Sequence, residues 1–150
     1  MKIKECCKII SQECIAKDIY SMWISTEAIA KEAKPGQFIS VYTKDAGKLL
    51  PRPISLCEID REKGALRIVY RIAGGGTREF SRLRSWDAID ILGPLGNGFP
   101  LEETKGTRGM LRFGGIGIPP MLETAKAIQG EKLIISGYRD ERFLTEELNA

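Results

Sequence analysis

The placing of glycine and proline limits what this chain can fold into more than any other feature. Up to Phe99 they recur between short apolar runs, as Pro35-Gly36, Pro51 and Pro53, Gly64, Gly74-Gly75-Gly76 and Gly93-Pro94-Leu95-Gly96-Asn97-Gly98. Short segments at that spacing predict the strands of a small barrel. Lys2 to Ser25 reads as two strands separated by polar residues around Ser11 to Glu13, and Phe38 to Tyr42 as a third. Leu50 to Cys57 reads as extended, because its two prolines bias their neighbours away from helix. Asp60 to Gly64 is a hairpin loop feeding a strand in which Leu66, Ile68, Tyr70 and Ile72 share one face. Arg78 to Leu83 is expected to be a short helix capped by Thr77 with Glu79 in its first turn. Ala88 to Leu92 is the last strand, stopping at Gly93-Pro94.

Beyond Phe99 the grammar changes. Leu101 to Gly109 is charged and poor in apolar residues, which marks it as a linker. Met110 to Phe113, Pro119 to Ile128, Lys132 to Ser136 and Glu141 to Leu148 then alternate as strand, helix, strand and helix, the signature of a parallel sheet. Two strands are too few to fold alone. The sequence therefore divides into a barrel domain over 1–100, a linker over 101–109 and the start of an α/β domain over 110–150. Arg112 stands in a strand that should be buried on both faces, where a charge is costly unless it is paired or reaches solvent.

Composition enters through what it removes. The chain has no histidine, so Ser-His-Asp and Cys-His chemistry cannot be built within it. Its 23 Lys and Arg against 20 Asp and Glu leave a formal charge of +3, and the basic residues never cluster, so nucleic-acid binding is not supported. Cys6, Cys7, Cys14 and Cys57 form no C-x-x-C pair. Adjacent Cys6 and Cys7 point to opposite faces of a strand and cannot jointly clasp one metal ion there. Buried or half-buried thiols in a reducing cytoplasm are the plain reading, with no metal site. No apolar run reaches membrane-span length, and the charged start Met1-Lys2-Ile3-Lys4-Glu5 lacks a signal core. The expected location is the cytoplasm.

Two glycine turns are candidate nucleotide sites. Gly74-Gly75-Gly76-Thr77 at a helix start offers free backbone N–H groups and a hydroxyl, which suit a phosphate, although a glycine triplet alone is as well explained as a mobile loop. Arg71 beside the loop and Arg52 on another strand could together neutralise a pyrophosphate. Gly114-Gly115-Ile116-Gly117-Ile118-Pro119-Pro120 lies between strand and helix, where a dinucleotide-binding turn belongs. Pro120 takes the third glycine position of that fingerprint, so a plain tight turn competes with it. Asp140 is a possible ribose partner. Arg52-Pro53-Ile54-Ser55, taken alone, is a surface arginine and an ordinary strand hydroxyl.

Taken in order, Pro35-Gly36-Gln37-Phe38, Arg52 to Ser55, Val69-Tyr70-Arg71, Gly76-Thr77, Gly93 to Phe99 and Gly114 to Gly117 resemble the ferredoxin-reductase-like flavoproteins. Within them the chain is most similar to the electron-transfer subunits of heteromeric, NAD-dependent dihydroorotate dehydrogenases of pyrimidine synthesis. The resemblance implies a mainly β, antiparallel Greek-key barrel that binds FAD, followed by the start of an α/β nucleotide-binding domain. It implies that Arg52 neutralises FAD phosphate and that Pro53, Ile54 and Ser55 lie along the flavin, with Ser55 near its reactive nitrogen. Val69, Tyr70 and Arg71 would line the flavin through backbone groups, Gly76 and Thr77 would hold the pyrophosphate, and Gly115 and Gly117 would take NAD(H). No catalytic side chain is needed, because hydride transfer is the chemistry of the cofactors.

The implied partner is an FMN-containing catalytic dihydroorotate dehydrogenase subunit, in a heterotetramer, with electrons passing through a [2Fe-2S] centre and FAD to NAD⁺. Such subunits continue to a C-terminal cysteine cluster that the four cysteines here do not match, so the sequence reads as a fragment. Ile54 stands where an aromatic is common in the wider superfamily, and Ser85-Trp86-Asp87 where Pro-Gly-Asp is common. Three readings compete: the dehydrogenase subunit, a subunit of a related NAD(P)H-ferredoxin oxidoreductase or hydrogenase diaphorase, and a non-catalytic FAD-binding or assembly module.

Overall fold

A computed structural model describes residues 1–149; Ala150, the last residue of the expected α/β segment, lies outside them. Six strands, β1 (Ile3–Ala16), β2 (Ile19–Ser25), β3 (Phe38–Tyr42), β4 (Arg52–Asp60), β5 (Ala65–Arg71) and β6 (Ala88–Leu95), close an antiparallel barrel in the order β1-β2-β5-β4-β3-β6. Closure gives every strand two neighbours around the circuit. The interior is filled by one apolar side chain from every second position. Ile9, Met22, Ile24, Ile39, Leu56, Leu66, Ile68 and Ile91 have no exposed surface.

Several boundaries differ from those expected. Ser11 to Glu13 do not separate two strands but lie within β1, which absorbs its broken alternation in irregularities after Ile9 and Cys14. The chain instead reverses at Lys17-Asp18, where Asp18 takes a left-handed φ of 59°, a conformation aspartate tolerates. A helix α1 (Glu27–Glu32) was not foreseen. It is too short for a period to show, yet Ile29 and Ala30 plug the barrel core. β6 does not stop at Leu92 but runs through Gly93 and Pro94. A β-carbon at Gly93 would lie 2.6 Å from Ile39 Cγ2, so glycine is needed there for β3 and β6 to pack.

After a short 3-10 turn at Leu101–Thr104 come β7 (Gly109–Gly114), a 3-10 turn at Gly115–Gly117, α3 (Pro119–Ala127) and β8 (Lys132–Gly137). β7 and β8 are parallel, as the alternation predicted. Helix α4 (Thr145–Asn149) is shorter than the expected Glu141 to Leu148, because Leu144 takes a left-handed φ of 59°. Arg112 proves tolerable because it projects from the exposed face of this small sheet, beside Met110 and paired in register with Ile135. Ile118, Leu122, Phe143 and Leu144 bury a second apolar cluster against Ala16, Ile19, Cys57 and Val69 on the outside of the barrel. Arg67 on β5 reinforces that seam: its guanidinium pairs with Glu58 at 2.7 Å, and Glu58 also receives Lys126 of α3 at 2.8 Å. No helix among the described residues is long and apolar enough to cross a membrane.

Candidate functional site

The barrel wall opens at one place. The β4–β5 ladder runs from Asp60 opposite Ala65 to Leu56 opposite Ile68 and goes no further. From there Val41 to Phe38 of β3 pair with Arg52 to Ser55, while Ser21 to Ile19 of β2 pair with Val69 to Arg71. The two strands part, and their facing edges present backbone N–H and C=O groups to a ligand rather than to each other. Both peptide segments singled out in the sequence lie on this fork.

Strand alternation then sorts their side chains. Ile54 is buried with the barrel core, while Pro53 and Ser55 are exposed on the outer face of β4. Tyr70 points inward, where it stacks on Tyr20 and meets Phe80 edge-on. Its hydroxyl donates to Gln12 Oε1 at 2.6 Å, and Gln12 Nε2 donates to the Phe80 and Leu83 carbonyls at 2.9 and 2.7 Å. Burial pushes the Tyr70 phenol well above its ordinary value, so it stays a hydrogen-bond donor. Gln12 ties β1, β5 and the next helix together; nothing in its sequence neighbourhood signalled this.

That helix, α2 (Gly75–Ser81), begins three residues earlier than expected, and its N-cap is Gly74. Thr77 is not the cap but lies in the first turn. Its Oγ1 accepts from the N–H groups of Ala73 and Gly74 at 2.8 and 3.2 Å and donates to the Gly74 carbonyl. The hydroxyl is thereby committed to folding the loop, and what the turn can offer a ligand is the backbone N–H groups of Gly75, Gly76 and Thr77, which a helix start leaves without intrahelical acceptors.

Two cations crowd this turn. Arg52 crosses Gly76, whose β-carbon would lie 2.8 Å from Arg52 Nε; Lys48 crosses Gly75, whose β-carbon would lie 2.8 Å from Lys48 Cε. Lys48 Nζ donates to the Gly75 carbonyl at 3.3 Å and pairs with Asp45 at 3.2 Å. Arg52 therefore stands beside the glycine turn as expected, but its companion is Lys48 and not Arg71. Lys48 lies four residues before Arg52 in the sequence, a basic residue within loop reach of the same turn. Arg71 ends β5 on the outward side shared with Val69. It lines a cleft of about 360 Å³ with Lys17, Asp18, Gly115, Tyr138 and Asp140.

Gly115 takes a left-handed φ of 55°, which explains glycine there. Gly117 has neither a left-handed φ nor any atom within 4 Å of its β-carbon position. Arg71 and Gly115 thus connect the barrel fork to the second glycine turn, and Asp140 sits in the same cleft. The thiols do not converge: Cys6 and Cys14 are exposed, Cys7 and Cys57 buried. Among the described residues no group of three His, Cys, Asp or Glu could hold a metal ion.

Residues 6–99 match the oxidoreductase FAD-binding domain family. The chain is 40% identical over 149 residues to the electron transfer subunit of dihydroorotate dehydrogenase B (NAD(+)) from Bacillus caldolyticus, covering 95% of this chain and 58% of that protein. It is 43% identical over 129 residues to the subunit of the same name from Streptococcus mutans, covering 85% and 50%. It thus spans about half the length of these relatives. Among solved structures, an NADH-dependent reduced ferredoxin-NADP oxidoreductase superposes with a TM-score of 0.81 at 30% identity, over 90% of this chain and 49% of that one. Ferredoxin-NADP+ reductase from Plasmodium falciparum, at 18% identity, shares the fold with a TM-score of 0.80 over 97% and 64%.

Proposed function

Because the chain belongs to the oxidoreductase FAD-binding domain family, we propose that it is the FAD-holding part of the electron-transfer subunit of an NAD-dependent dihydroorotate dehydrogenase. The observation that carries this reading is the coincidence of a parted β4–β5 wall with two cations lying across a glycine turn. The fork suits a flat ring system whose edge seeks backbone hydrogen bonds, and the turn suits a diphosphate. In this reading Arg52 and Lys48 neutralise the diphosphate, and the N–H groups of Gly76 and Thr77 hydrogen-bond to it. Pro53 and Ser55 border the ring from β4, with Ile54 fixing that segment from the core side. Val69, Tyr70 and Arg71 offer backbone groups from β5. FAD, when bound, supplies the hydride and single-electron chemistry. The protein orients it, and the Gln12–Tyr70 network keeps β5 and α2 in register.

Residues 1–100 serve here as the FAD-binding domain and 110–150 as part of an NAD-binding domain joined by the 101–109 linker. Gly115 and Gly117 let NAD(H) approach the backbone, and Arg71 and Asp140 face it across the cleft. The partner is a catalytic dihydroorotate dehydrogenase subunit containing FMN, in a heterotetramer; it oxidises dihydroorotate, a step of pyrimidine synthesis, and NAD⁺ is the final acceptor of the electrons. The four thiols, two exposed and two buried, do not suit a [2Fe-2S] centre. The free, partly exposed thiols support a reducing, cytoplasmic setting.

Desalting after incubation with FAD tests this directly. The chain should retain flavin absorbance, and Arg52→Ala should weaken binding by about 1.5 to 3 kcal/mol through loss of a charge-assisted contact; a colourless chain and an inert substitution would overturn the site. The 30% identity to an NADH-dependent ferredoxin-NADP oxidoreductase favours, as second reading, a subunit of such an enzyme. Affinity capture decides: a dihydroorotate dehydrogenase supports the first reading and a ferredoxin-dependent enzyme the second.

A further inference from the structure

We propose that the outer face of β1, beside the turn into β6, is a surface on which a second copy of this chain docks. At its centre are Trp86, 79% exposed, and Ile10, 47% exposed. The two meet where β6 begins: the Ile9 N–H donates to the Asp87 carbonyl at 2.9 Å, and the Trp86 N–H to the Ile9 carbonyl at 2.7 Å. Two residues opposing one in this way make a β-bulge of the kind whose first residue is a left-handed glycine. Trp86 holds that place at a φ of 73°, a strained conformation for a bulky side chain. The fold gains no core packing in return, since the ring stands in solvent; strain of that kind persists where the side chain has another use. A second irregularity, in β1 between Ile9 and Ser11, leaves Ile10 outside the barrel. Trp23, opposite Ser11 and between buried Met22 and Ile24, faces out as well and is half-buried. Both tryptophans of the chain therefore stand on one face, on strands that supply no candidate cofactor residue.

The charges around the patch identify the occupant. Along β1, Lys8 and Glu13 stand exposed on either side of Ile10 and Ser11, and neither is ion-paired among the described residues. Exposed Arg84 and Asp87 flank Trp86 in the same way. A two-fold axis through Ile10 and Ser11 lays two β1 strands antiparallel, so that Lys8 of each copy meets Glu13 of the other while each Trp86 covers the other's apolar patch. A contact between identical surfaces needs this self-complementary order; a partner of one charge sign would instead call for a rim of the opposite sign. Two exposed apolar side chains and part of a third are few against the roughly twenty or more residues a side of a stable interface. The association is therefore weak and concentration-dependent.

Sedimentation velocity over a concentration series tests this, with tryptophan emission as a second readout. The chain should pass from monomer to dimer as its concentration rises, and the emission should move to the blue in step, because both tryptophans lie on the face being covered. Trp86→Gly relieves the left-handed strain, so it should melt at the same or a higher temperature, yet weaken dimerisation about tenfold or more through loss of an interface anchor. Lys8→Glu and Glu13→Lys should each weaken dimerisation roughly fivefold, and the two together should restore it. A chain that stays monomeric at every concentration, a Trp86→Gly dimer as tight as the parent's, or a charge exchange that fails to restore association overturns the second copy as occupant. A lower melting temperature for Trp86→Gly overturns the reading of Trp86 as an interface anchor and makes it a residue of the fold. A monomeric chain whose Trp86→Gly variant no longer captures a catalytic dihydroorotate dehydrogenase subunit overturns the proposal in favour of that subunit.

Discussion

Arg52 lies across the face of Gly76 so closely that a β-carbon there would come within 2.8 Å of the guanidinium Nε. Glycine at this position is thus explained by a neighbouring cation, and the φ of Gly76 plays no part. Gly76→Ala should displace Arg52 and weaken FAD binding by about tenfold, roughly half or more of what Arg52→Ala costs. On an Arg52→Ala background the same alanine should cost little, because the side chain it would push is gone. A double-mutant cycle read by flavin titration checks this; additive effects would mean that the two positions act independently.

The Arg67–Glu58 pair at 2.7 Å makes a different demand. Arg67 and Glu58 side chains are only 7% and 16% exposed, and Arg67 Nε also donates to Ser21 Oγ at 2.7 Å. Removing the carboxylate leaves a desolvated guanidinium. Glu58→Ala should therefore cost about 3 kcal/mol in denaturant unfolding. Lys126, half exposed on the far side of Glu58, should cost less than about 1 kcal/mol when changed to Ala. Comparable losses at both would mean that the interface with α3, not the buried pair, dominates.

The sequence made the barrel legible because each strand after β1 carries its pattern within five to nine residues and turn residues punctuate the chain, as at Pro35-Gly36 and Gly64. It hid α1, since six residues give no helical period, and it misplaced the β1–β2 turn, since β1 is bulged and polar on its outer face. Within the site, Arg52 and the glycine turn were legible as a pair because both carry phosphate chemistry in their residue types. Which cation joins them was not. Arg71 is nearer in sequence, but strand alternation turns it outward to the second cleft, while a loop closure from β3 brings Lys48 over Gly75. Gln12 was invisible for the same reason: its partners, Phe80, Leu83 and Tyr70, are 58 or more positions away.

The two glycines of the second turn should separate under substitution. Gly115→Ala forces a β-carbon into a left-handed φ of 55° and should cost about 1 to 2 kcal/mol of stability whether or not nucleotide is present. Gly117→Ala meets no atom within 4 Å and should leave the melting temperature unchanged. If NADH approaches this turn, Gly117→Ala should still weaken NADH binding, measured by nucleotide fluorescence. Unchanged binding would remove Gly117 from the nucleotide site.

Burial also sets an alkaline limit. It pushes both the Cys7 and Cys57 thiols from an ordinary 9.0 up to about 12. Between those values the folded chain keeps protons that the unfolded chain releases, so raising the pH favours unfolding. The stability these thiols contribute is whole below about pH 9 and declines as the pH rises towards about 12. The melting temperature should fall through that window, and Cys57→Ala should flatten part of the fall while lowering stability at neutral pH by leaving a small void. The same burial predicts native reactivity. Exposed Cys6 and Cys14 should react with a disulfide reagent in the folded chain. Cys7 and Cys57 should react only at the rate of opening; rapid reaction of all four in native buffer would show that the barrel core around Cys7 and the second apolar cluster, where Cys57 packs with Ile118 and Leu122, both open far more readily than their burial implies.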